Sequence, residues 1–104
     1  MIKISLYYPK AEGTQFDVEY YHQKHMSLVQ EKLSSAGLIK TGVERGISGE
    51  APDSEPPFHC VGHLYFLTEA AYWAAMGEHG KELVADIPNF TNAKPSFLIA
   101  EVVS

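Results

Sequence analysis

At 104 residues the chain is long enough for one hydrophobic core and too short for two, and its 45% hydrophobic and 20% charged residues match a soluble globular domain. A net charge of −5 with no run of Lys or Arg leaves no phosphate-tracking surface, which argues against a nucleic-acid partner, and no apolar run approaches the roughly 18 residues that span a bilayer. The single cysteine, Cys60, rules out an internal disulfide and suits a reducing cytoplasm, and Met1 to Leu6 lacks the apolar core of a secretory leader.

In chain order, Ile2, Ile4, Leu6 and Tyr8 alternate with Lys3, Ser5 and Tyr7, which predicts a half-buried strand ending at Pro9. After a turn over 10–15, Asp17 is placed to cap a long helix, with Glu19 complementing the dipole of its first turn. On a regular helical wheel Val18, Tyr21, His22, His25, Val29, Leu33 and Ala36 share one face, with Glu19, Tyr20, Gln23, Lys24 and Glu31 towards the other. Gly37 ends this helix near Ala36. A second strand is expected over 38–47, a polar Pro-rich loop over 48–57 and a third strand over 58–67. In that strand Phe58, Cys60, Gly62, Leu64 and Phe66 point one way, and His59, Val61, His63, Tyr65 and Leu67 the other. Thr68 caps a second helix expected to run from Glu69 to about Met76, broken by Gly77 and Gly80, with a further turn or two over 81–85. A connector over 86–91 contains Pro88, and a last strand is expected over 96–103.

The order strand, helix, strand, strand, helix, strand is that of an α+β ferredoxin-like split βαβ sandwich with a four-stranded antiparallel sheet, spanning 1–104 as one domain. Both helices then cover one sheet face. The other face keeps large residues, including Tyr65 and an aromatic or β-branched set from the last strand. Two copies pressed face to face would cover it as a dimeric α/β barrel, so a homodimer is expected from the pattern.

The segments Phe16-Asp17-Val18-Glu19-Tyr20-Tyr21 with His25 and Leu28, His63-Leu64-Tyr65-Phe66, and Asp86-Ile87-Pro88-Asn89-Phe90 together resemble the EthD domain family of the dimeric α/β-barrel superfamily. The resemblance implies a ferredoxin-like homodimer associated with oxidative breakdown of small organic molecules, the family being named after fuel-ether degradation. Related barrels include cofactor-free quinone-forming monooxygenases, polyketide cyclases and lactone isomerases, and some bind haem. His63 is a departure, since family members often carry an acidic residue there.

Among candidate site residues, His25 stands out as an imidazole within an apolar stripe, suited to proton transfer near neutral pH. The structural alternative is a buried histidine hydrogen-bonded to a backbone carbonyl or to Tyr8 or Tyr65, locking helix to sheet. His63 and Tyr65 are read as polar groups orienting a substrate oxygen, with a place in the dimer seam as the alternative. Tyr7, Tyr21, Phe90 and Phe97 are candidate substrate-binding aromatics. His59 and His63 share a strand face but lie roughly 13 Å apart, too far for one metal, and no companion ligands are spaced for it. Cys60 is expected to be buried and inert. No P-loop, dinucleotide fingerprint or nucleophile elbow is present. The expected function is a cytoplasmic homodimer whose barrel cavity binds a small apolar or aromatic, oxygen-bearing metabolite and assists oxidoreductase-type or proton-transfer chemistry on it without a tightly bound cofactor or metal. The alternatives are a non-catalytic carrier of a hydrophobic metabolite and a haem-binding barrel using His25 or His63.

Overall fold

The computed structural model describes residues 1–104. Four strands, β1 (Ile2–Pro9), β2 (Leu38–Arg45), β3 (Phe58–Phe66) and β4 (Ser96–Glu101), form one sheet in the order β2-β3-β1-β4, every neighbouring pair antiparallel. Two helices, α1 over residues 18–36 and α2 (Glu69–Asp86), cross between strands to cover one face. This is the expected α+β ferredoxin-like fold. The core lies between sheet and helices, with Ile4, Tyr8, Tyr21, Leu33, Cys60 and Phe66 fully buried.

The caps are where their residue types place them. The Asp17 carboxylate accepts from the Tyr20 backbone N–H at 3.0 Å, and the Thr68 hydroxyl accepts from that of Ala71 at 3.1 Å. Gly37 closes α1 at φ +106°, a left-handed conformation that favours glycine.

Three expectations are corrected. First, α2 does not break at Gly77 and Gly80. It runs unbroken to Asp86 because Tyr72, Ala75 and Leu83 continue one buried face on both sides of the glycines. That burial offsets a helix penalty of about 1 kcal/mol per glycine. Second, β2, β3 and β4 stop at Arg45, Phe66 and Glu101, short of the exposed Ile47, Leu67 and Val103 that the alternation had included. Third, α1 is not regular: Tyr21–His25 winds as a π-helix. The slower winding there brings Met26 into the core, turns His22 outward, and stacks the His25 ring on that of Tyr21 (centroids 5.4 Å apart, planes at 14°).

The connector after α2 is tied to the start of α1. Asp17 N–H donates to the Phe90 carbonyl (2.7 Å), Gln15 N–H to Asn92 Oδ1 (2.8 Å) and the Thr91 hydroxyl to the Gln15 carbonyl (2.6 Å). These bonds bring the C-terminal end of α2 against the π-turn, and so Asp86 beside His25.

Candidate functional site

His25 is buried, and its Nδ1 lies 2.9 Å from Asp86 Oδ2. The other carboxylate oxygen is held twice, by the Tyr20 hydroxyl at 2.7 Å and the Asn89 side-chain amide at 2.9 Å. Burial alone raises the Asp86 carboxyl, yet hydrogen bonds from Tyr20, Asn89 and His25 outweigh it and hold it below the ordinary carboxylate value. Asp86 is therefore ionised at neutral pH and an acceptor only. It imposes the Nδ1–H tautomer on a neutral His25 and leaves the Nε2 lone pair free. Tyr20 is shifted upward by donating to Asp86, so it stays a phenol.

On the cavity side, His25 lines a small space between sheet and helices of about 50 Å³, walled by Leu6, Met26, Leu64, Leu83 and Ile87. Tyr8 and Tyr21 also line it, and Phe97 and Val84, both more than half exposed, sit where it opens between β4 and α2. A side chain at Gly62 would collide with the Tyr21 phenol, so this glycine lets that ring approach β3.

The opposite face of the sheet carries a second hydrogen-bonded histidine. Ser5 and His63 are directly paired across β1 and β3, with the Ser5 hydroxyl 2.9 Å from His63 Nδ1. His63 Nε2 bonds the Glu44 carboxylate of β2. With the Glu44 carboxylate taking the Nε2–H, the Ser5 O–H donates to Nδ1, so both nitrogens of the His63 ring are satisfied. Tyr65 lies between the ammonium groups of Lys40 and Lys3, at 4.7 and 5.7 Å from its ring centre.

The sheet thus divides the residues singled out from the sequence. His25, Tyr21 and Phe97 meet at the cavity, and Phe90 packs behind His25 with ring centres 4.7 Å apart. His63, Tyr65 and Tyr7 project from the other face, because residues of one parity on β1 and β3 point away from the helices. His25 and His63 therefore do not share a site. Phe97 faces the helices, and Leu98 and Ala100 are what β4 offers to the open face. Sequence reasoning missed Asp86, Tyr20 and Asn89 as site residues, and named Tyr8 only as a partner of a structural His25. Asp86 and Asn89 had a signal, as polar members of a connector following a helix in a chain that needs a partner for His25. Tyr8 had one too, as the phenol continuing the core-facing series Ile4, Leu6. Cys60 is buried, and burial pushes its thiol up to about 11, which keeps it protonated and unreactive at neutral pH. No cluster of three or more His, Cys, Asp or Glu side chains is arranged to hold a metal ion, and no helix is long and apolar enough to cross a membrane.

A family model for the EthD domain matches residues 12–94. An EthD-like protein from Ralstonia eutropha is similar at 37% identity, over 99% of this chain and 92% of that one, with a TM-score of 0.92. An ethyl tert-butyl ether D (EthD) family protein from Bacillus halodurans is similar at 25% identity, over 99% of both chains, with a TM-score of 0.75. A dimeric ferredoxin-like protein from an uncultured marine organism shares the fold at 19% identity, over 100% of this chain and 96% of that one, with a TM-score of 0.56. No curated protein matches the sequence.

Proposed function

The chain belongs to the EthD domain family, and from that premise we propose that it processes a small, largely apolar, oxygen-bearing metabolite in the cavity between sheet and helices, with His25 as proton acceptor. The observation that carries this reading is a histidine lining an otherwise apolar cavity while its other nitrogen is tied to a half-buried carboxylate. Asp86 fixes the ring and stabilises the imidazolium that forms when Nε2 takes a proton. The apolar walls keep water from competing for that proton. A carbanion or phenolate made this way can react with dioxygen without a bound cofactor, or be reprotonated at another atom. Oxidative and rearranging outcomes thus share one first step.

Native mass spectrometry of the protein purified from cells reads any bound organic molecule directly. Turnover of that molecule, reduced about 10²–10⁴-fold in His25→Gln with binding retained, is the expected result. Binding without turnover by either protein would make the chain a carrier and remove His25 from catalysis.

The reading includes a homodimer formed through the open sheet face. Leu98 is 51% exposed there, beside the half-buried Tyr7, Val61 and Tyr65. The Ser5–His63–Glu44 chain is already satisfied, so covering it strands no donor. On β2 the face carries Lys40 towards one end and Glu44 towards the other, so neither charge sign dominates it. A similar fold, the dimeric ferredoxin-like protein above, is a dimer by its description. Leu98→Glu is expected to convert a dimer into a folded monomer in light-scattering measurements. A wild-type monomer at micromolar concentration would refute the assembly.

A further inference from the structure

We infer that Tyr8 is the oxygen-binding donor of this cavity, and that the substrate is a neutral carbonyl compound bearing an acidic C–H beside the carbonyl, an enolisable ketone or aldehyde. This deepens the reading of His25 as proton acceptor and rests on it.

Tyr8 is wholly buried and lines the cavity, and its hydroxyl is a buried polar atom with no hydrogen-bond partner. Folded proteins seldom leave such a group unpaired, and each instance calls for an acceptor that the protein itself does not supply. The nearby Tyr21 phenol draws the Tyr8 value down somewhat, but no hydrogen bond of ordinary geometry reaches the Tyr8 hydroxyl. Burial pushes that phenol up to about 12, so it is an O–H donor at neutral pH and never a phenolate. The rest of the wall is apolar apart from His25 and the phenols, with no Lys or Arg among the lining residues. The formal charges that act on the lining residues are negative: Asp86, bonded to His25, and Glu44, which raises Tyr21. An anionic ligand would lose its hydration with no counter-charge, whereas a neutral one with a carbonyl acceptor meets the unpaired Tyr8 donor.

The pairing of an unpaired O–H donor with an imidazole acceptor suits enolisation. His25 Nε2 takes the proton from the carbon beside the carbonyl. The C–H electron pair becomes the C=C bond, and the carbonyl π pair moves onto oxygen, which accepts from the Tyr8 O–H. The imidazolium then returns the proton to carbon or to oxygen. No oxidant or further reactant is needed, and the donor bond strengthens as charge develops on oxygen.

The test follows deuterium entry beside the carbonyl of butanone and cyclopentanone in D₂O by proton NMR, with pyruvate as the anionic comparison. Wild type is expected to accelerate exchange of the neutral ketones and not of pyruvate. Tyr8→Phe is expected to slow it about 10²–10³-fold. Because that substitution removes only an unpaired hydroxyl, the variant is expected to melt at the wild-type temperature or above it. A lower melting temperature would show that the hydroxyl has a structural partner and overturn the inference. Exchange that is unchanged in Tyr8→Phe removes Tyr8 while leaving His25 in place. Equal acceleration of pyruvate, or no exchange of any neutral ketone by wild type, overturns the substrate class. Exchange that survives in His25→Gln overturns the underlying reading instead.

Discussion

Phe90→Ala is expected to lower stability by about 3–5 kcal/mol. Phe90 is buried and joins the rings of His25 (4.7 Å), Tyr21 (4.8 Å), Phe16 (5.4 Å) and Tyr8 (5.8 Å) between centroids. It touches strand, helix and connector at once, so neither side can close over the gap without losing its other contacts. The same ring backs His25 on the side away from the cavity, so its loss loosens the site as well as the core. Urea unfolding measures the effect as a lower midpoint at unchanged slope. A loss under about 1 kcal/mol would place Phe90 among ordinary surface-tolerant positions and contradict the role given to it.

Asp86→Asn is expected to reduce turnover, or ketone exchange, by about 10²–10⁴-fold with the fold intact. An amide can present its NH₂ to Nδ1, which moves the ring proton to Nε2 and removes the lone pair facing the cavity. Nitrogen-15 NMR of His25 reads this directly, as Nδ1–H in wild type and Nε2–H in the variant. A purely structural Asp86 would change the melting temperature without changing the tautomer. The carboxylate also has a pH signature. Its folded value lies below the ordinary value of about 3.9, so its contribution is present in full above that value and is lost as pH falls through the folded one. The stability difference between wild type and Asp86→Asn is therefore expected to be widest near neutrality and to shrink below about pH 4. Thermal melts across that range check it, and a gap that widened on acidification would contradict the ionised, hydrogen-bonded state assigned to Asp86.

The two histidines show how far the chain could be read. His25 was legible as a polar ring on an apolar helical face, yet its partner lies 61 residues away, beyond any local periodicity. His63 was legible as a strand residue with the parity of Tyr65, but the sheet face that parity selects is opposite to the cavity. Treating both histidines as one site required a common face, and face assignment depends on which side of the sheet the helices cover.

By itself the sequence determined the order of elements, the capping residues Asp17, Gly37 and Thr68, the strand alternation and hence the ferredoxin-like fold. These are short-range properties, set by backbone preference and by apolar residues recurring at the period of one strand or helix. Only the tertiary structure decided that α2 runs through its glycines, that Tyr21–His25 winds as a π-turn, that Asp86 meets His25, and that the Tyr8 hydroxyl is left without a partner. Each of these is a balance between local cost and burial against residues distant in the chain, and that balance exists only once the sheet and both helices have closed around the same core.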